Sequence, residues 1–162
     1  MQRRVLQLFV VGFMALLGGC SFATQFQAIA QQPKDPAHAL VGAWEGRWNN
    51  ETFHRSGPAK AVITLQPETA STRLWLQVWQ HRDLLSAEEY QTTKVKIEPA
   101  EAGGVKFHTK LAVRTLLMMT VDGQTKDDSI TIRYSVVDVT DPEVEHEQGT
   151  MELHRVTRPP TK

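Results

Sequence analysis

From Leu40 onward, apolar and polar residues alternate with a period of two. Trp44, Gly46 and Trp48 alternate with Ala43, Glu45, Arg47 and Asn49. Leu74, Leu76 and Val78 alternate with Arg73, Trp75, Gln77 and Trp79, and Ile130, Ile132, Tyr134 and Val136 with Thr131, Arg133 and Ser135. Shorter stretches of the same kind centre on Ile63, Ile97, Phe107 and Leu153, and Leu116 to Val121 is an apolar run broken only by Thr120. Successive side chains of a strand point to opposite faces, so the pattern predicts eight strands. Ser56-Gly57-Pro58, Gln66-Pro67, Gly103-Gly104, Asp122-Gly123 and Asp141-Pro142 read as the turns between them. Ser86-Ala87-Glu88-Glu89 fits a capping box and predicts about one helical turn near Tyr90.

Roughly 117 residues in eight strands is near the size at which an antiparallel sheet closes on itself and removes its exposed edges. The expected fold is therefore all-β, an eight-stranded antiparallel barrel over residues 40–156, with a two-sheet β-sandwich as the alternative. Eight strands enclose an interior that is filled by side chains or holds one small ligand.

The N-terminal residues follow another pattern. Met1-Gln2-Arg3-Arg4 is a basic head, Val5 to Leu17 is apolar apart from Gln7 and Gly12, and Gly18-Gly19 precede Cys20. This is the layout of a secretory signal peptide. Its apolar stretch would reach about 20 Å as a helix, short of the ~30 Å hydrocarbon core of a bilayer. Leu17-Gly18-Gly19-Cys20 resembles a bacterial lipobox. The resemblance implies cleavage before Cys20, lipidation of its sulfur and acylation of its new α-amino group. Several acyl chains at about 0.8 kcal/mol per buried CH₂ hold a protein at a membrane without spanning it. Ser21 is similar to the residue found at this position in outer-membrane-sorted lipoproteins. The expected organisation is a signal peptide at 1–19, the lipidated cysteine and a tether at 20–39, the domain at 40–156 and a tail at 157–162. As flexible coil the tether would reach roughly 24 Å. The helical spacing of Phe22, Phe26 and Ile29 also allows a short helix there.

Gly42-Ala43-Trp44 in the first strand and Arg155 after the last resemble the lipocalin arrangement. There, a tryptophan closes the base of the barrel and a late arginine packs over it. The resemblance implies a lipocalin-like barrel that binds a small apolar or amphipathic ligand; the other lipocalin motifs and any disulfide are absent.

Composition narrows the function. Lys plus Arg is 18 and Asp plus Glu is 18, and loss of residues 1–19 removes only Arg3 and Arg4, leaving a formal charge of −2. A chain that works by phosphate neutralisation needs a basic stripe, so nucleic acid is excluded as a partner. Cys20 is the only cysteine, which excludes an intramolecular disulfide framework and a multi-cysteine zinc site. No Gly-x-Ser-x-Gly elbow, phosphate-binding glycine loop or zincin motif occurs. No catalytic residues, metal ligands or cofactors are therefore assigned. The acidic run Asp141, Glu143, Glu145 and Glu147 lacks the spacing of a calcium loop and reads as a solvated hairpin. Met118 and Met119 are adjacent, so in a strand they face opposite sides and read as core.

One face stands apart. Leu74, Leu76 and Val78 suffice to seat their strand in a core, yet Trp75 and Trp79 lie on the opposite side with Arg73, Gln77 and His81. Such a mixture suits a ligand wall or a patch for an envelope partner. It equally suits a surface covered by the tether or by residues 84–90.

Overall fold

The computed structural model describes residues 21–66, 68–79, 87–101 and 103–157. Residues 1–19, expected to be a signal peptide, together with Cys20, His81, Ser86 and most of the tail, lie outside the described residues. Nine strands are present among those described: β1 (Gly42–Asn50), β2 (Arg55–Gln66), β3 (Ser71–Trp79), β4 (Ala87–Thr92), β5 (Lys96–Pro99), β6 (Val105–Arg114), β7 (Leu117–Lys126), β8 (Ser129–Asp138) and β9 (Glu145–Arg155). They form one antiparallel sheet in the order β4-β3-β2-β1-β9-β8-β7-β6-β5. The all-β class stands, but the eight-stranded closed barrel does not: β4 and β5 are the two edge strands, not paired to each other, of a nine-stranded sheet.

The sheet is rolled. Trp44, Ile63, Leu76, Leu111, Val121, Ile132 and Leu153 all pack into one core although they come from seven strands. β4 also lies alongside β6 without a hydrogen-bonded ladder between them. The connection from β4 to β5 crosses from the β3 side of the roll to the β6 side, and Thr109 Oγ1 donates to the Lys94 carbonyl there at 3.0 Å. β5 is four exposed residues carrying Lys96 and Pro99, which makes it a poor template for pairing with another chain.

Three glycines lie on the inner face opposite an aromatic residue of the neighbouring strand: Gly57 opposite Trp48, Gly123 opposite Phe107 and Gly149 opposite Tyr134. In each case a side chain on the glycine would collide with that ring. Gly57-Pro58 and Asp122-Gly123 are therefore strand interiors and not the turns expected. The tight β7–β8 turn instead sits at Asp127-Asp128, with Asp127 in the left-handed region at φ 54°.

The capping-box expectation near Tyr90 is also corrected. Residues 87–92 are strand β4, paired with β3 in the register Leu76↔Tyr90 and Trp75↔Gln91. Pairing satisfies backbone groups along the edge of β3 from Leu74 to Trp79, which one helical turn would leave open.

The flexible tether is corrected too. Phe22–Ala30 is helix α1, with Ser21 as N-cap accepting from the Thr24 amide at 3.3 Å. Ala43, Val62 and Trp75 form an apolar row across the outer face of β1, β2 and β3. Phe22, Phe26 and Ala30, spaced four apart on one side of α1, bury that row. A 3₁₀ turn (Pro36–His38) then leads to Leu40 in the inner core.

Candidate functional site

At one end of the roll, the tips of the strands surround a cavity of about 340 Å³, within the size range of small-molecule sites. Its walls are apolar: Trp48 from β1, Val78 from β3, Met119 from β7, Val136 from β8 and Met151 from β9. Its rim is polar and carries Arg55, Glu88, Arg114, His146 and Glu147. The hydroxyls of Tyr90 and Tyr134 lie between the two zones.

Local structure fixes these groups. Trp48 lies against Gly57, where a Cβ would come within 2.8 Å of its Nε1, and Nε1 donates to the Trp79 carbonyl at 2.9 Å. The β1–β2 loop is pinned to β9: Glu51 N donates to the Gln148 carbonyl at 2.9 Å, and Gln148 N to Thr52 Oγ1 at 3.0 Å. Asn50 is buried, and its Oδ1 accepts from Phe53 N at 2.8 Å. The Tyr90 hydroxyl donates to the Glu88 carboxylate. Burial raises the ionisation of Tyr90 above its ordinary value, and the Glu88 bond and charge push it the same way. Burial likewise raises Tyr134, with the Glu147 charge adding to the effect. Both phenols are therefore neutral donors at physiological pH. Among the described residues, Arg55 and Arg114 form no ion pair. The Arg55 guanidinium lies 5.8 Å over the Phe53 ring, and a guanidinium with no carboxylate partner is suited to a carboxylate or phosphate. The arrangement can hold an apolar body with a polar end at the rim.

A larger groove, about 620 Å³, runs over the outer face of β5–β8. Its side chains are mostly charged, and His108 and Asp122 are already paired at 2.7 Å. It reads as a solvated sheet face.

The residues singled out by sequence fall elsewhere. Trp75 is only 6% exposed and lies beneath α1, with the Phe22 ring edge-on at 5.3 Å. Its Nε1 donates to Glu89 Oε2 at 3.1 Å, and the Arg73 guanidinium stacks on it at 4.9 Å. Gln77 donates to the other oxygen of Glu89 at 3.0 Å, and Arg73 to Gln91 at 2.6 Å. Trp79 is half-buried, with Lys60 Nζ 5.7 Å from its ring. Trp75, Arg73 and Gln77 thus form one network sealing the outer side of β3 and β4, and the tether covers Trp75. The cavity residues escaped sequence reading because they come from eight separate strands, each with the alternation of an ordinary core.

At the opposite end, Trp44 is fully buried, its Nε1 donating to the Leu40 carbonyl at 3.1 Å. The Arg155 guanidinium stacks 4.1 Å from its ring and donates to the carbonyls of Ala39 and Val41 and to Asp128. This plug packs the end of the roll opposite the cavity.

No known protein family, curated protein or solved structure matches the chain. Among the described residues no helix is long and apolar enough to cross a membrane, and no three His, Cys, Asp or Glu side chains gather as a metal site.

Proposed function

We propose that this chain is a lipoprotein of the bacterial cell envelope, anchored through Cys20 and exposed to the periplasm from the outer membrane, that holds a small amphipathic ligand without transforming it. One observation carries the ligand reading: the cavity with an apolar wall of Trp48, Val78, Met119, Val136 and Met151 and a rim bearing Arg55 and Arg114. The lipobox sequence Leu17-Gly18-Gly19-Cys20 supports the anchor. Docking of a partner through an aromatic patch loses most of its surface, because Trp75 lies beneath α1.

Native mass spectrometry of the full chain purified from a bacterial envelope tests the reading. A small molecule should accompany the wild-type protein and be absent from Met119→Trp, in which the larger ring fills the cavity. A wild-type protein free of any co-purifying molecule, or one whose ligand survives Met119→Trp in a folded variant, overturns it.

A further inference from the structure

We propose that α1 acts as a rigid seat: packed on the outer face of β1–β3, it holds its own N-terminal end, and with it the domain, directly at the lipid headgroups of the membrane that carries the anchor. The inference rests on Cys20 being the lipidated residue. It adds that the domain does not swing on a tether.

The distances leave no room for one. Ser21 is the N-cap of α1, and consecutive Cα atoms are about 3.8 Å apart, so residue 20 enters directly at the end of the helix. The headgroup layer of each leaflet is roughly 5–8 Å thick. A sulfur acylated into the bilayer therefore places Ser21 within or against that layer, whereas a coil of 19 residues would allow about 24 Å.

The helix itself cannot pivot. Phe22, Phe26 and Ala30 are each at most 3% exposed. Phe22 is locked edge-on to Trp75, and Lys60 Nζ sits 4.9 Å from the Phe26 ring. The far end is tied down by Lys34, whose Nζ pairs with Asp128 at 2.7 Å.

The surface offered to the membrane suits that position. Residues 21–33 contain no Asp, Glu, Lys or Arg, and the exposed side of α1 is Ala23, Thr24, Gln27, Ala28 and Gln31. Beside the helix, Arg47, Lys60 and Arg73 outnumber Glu45 and Glu89 by one on the same sheet face. With so small a net charge the contact is set by the covalent anchor, and salt should not release it. β1 runs seven residues from Ala43 beneath α1 to Asn50 at the cavity rim, about 23 Å at 3.3 Å per residue.

Spin labels on the matured full chain in vesicles of phosphatidylethanolamine, phosphatidylglycerol and a nickel-chelating lipid test this. A label on Ala23→Cys, on the exposed side of α1, should be broadened by the nickel headgroups, and one on Thr131→Cys, on the outer face of β8, should not. Insertion of a flexible 19-residue Gly-Ser segment between Cys20 and Ser21, with a reach of about 24 Å, should abolish the broadening at Ala23→Cys. Equal spectra at the two positions, or broadening that survives the insertion, overturns the proposal. Acyl labelling of Cys20 in the same preparations separates the two readings. Acylated protein without broadening sinks only the rigid seat, and absence of acylation sinks the anchor and the seat together.

Discussion

Single residues set the curvature of this sheet. Gly57, Gly123 and Gly149 each lie under an aromatic ring from the facing strand, and each would clash with that ring if it carried a side chain. A glycine in a strand costs backbone entropy and offers nothing to pack; here the cross-strand ring fills the space, and the backbones bend around it. Two of those rings, Trp48 and Tyr134, also line the cavity, so the bend that rolls the sheet shapes the site. Tyr134 and Tyr90 are the only tyrosines in the chain, and both are raised above the ordinary value of 10.0 mainly by burial. A phenol whose folded pKa is raised adds stability that is fully present below the unfolded value and is lost as pH rises above it. Base titration followed by tyrosinate absorbance should therefore show almost no ionised tyrosine at pH 10.0 in the folded protein. Both phenols should appear in one step on unfolding. Half-ionisation of either at pH 10.0 with the fold intact would contradict the buried placement.

At the level of elements, the outer face of β1–β3 explains why residues 22–30 form a helix on the domain. Ala43, Val62 and Trp75 would otherwise expose a connected apolar row, and α1 supplies the complementary stripe. Trp75 and Trp79 are four residues apart on one strand face but should behave differently. Trp75→Ala removes the ring on which Phe22 and Arg73 stack and should cost about 3–5 kcal/mol in urea unfolding. Trp79→Ala removes a half-buried ring and should cost under about 1.5 kcal/mol. Equal small losses would mean that α1 does not bind the sheet as described. Much of this level was legible in the chain. The alternation of Leu74, Leu76 and Val78, or of Ile130, Ile132 and Tyr134, identifies strand and inner face together, because one face is buried throughout. β4 was not legible: Ser86 and Glu89 carry a local helix signal, while the pairing edge of β3 that overrides it lies outside any short window. Gly57 and Gly123 looked like turns because their cross-strand aromatic partners become visible only once the register is known. The cavity was hidden for the same reason, since no single strand contributes more than a few of its residues.

For the molecule as a whole, the decisive feature is a ladder that runs through nine strands and does not close. β1, β9 and β8 sit in its middle, each paired on both sides over long registers. β4 is paired only to β3, and β5 only to β6. β4 lies alongside β6, and both flank the cavity, Glu88 and Tyr90 on one side and Val113 and Arg114 on the other. The seam between them is held by side chains, so it is the easiest place for the roll to open and admit a ligand to the apolar wall. Opening there breaks no strand pairing, whereas opening anywhere else breaks a full ladder, and the local free energy of opening should follow that difference. Amide hydrogen exchange measures it directly. Amides of β1, β8 and β9 should be the most protected. In β4, the amides directed at β3 should exchange slowly, while those directed at β6 should exchange nearly as fast as loop amides. Uniform protection along β4, with matching protection on the facing edge of β6, would mean that the sheet closes into a barrel in solution and that a ligand must enter through the rim alone.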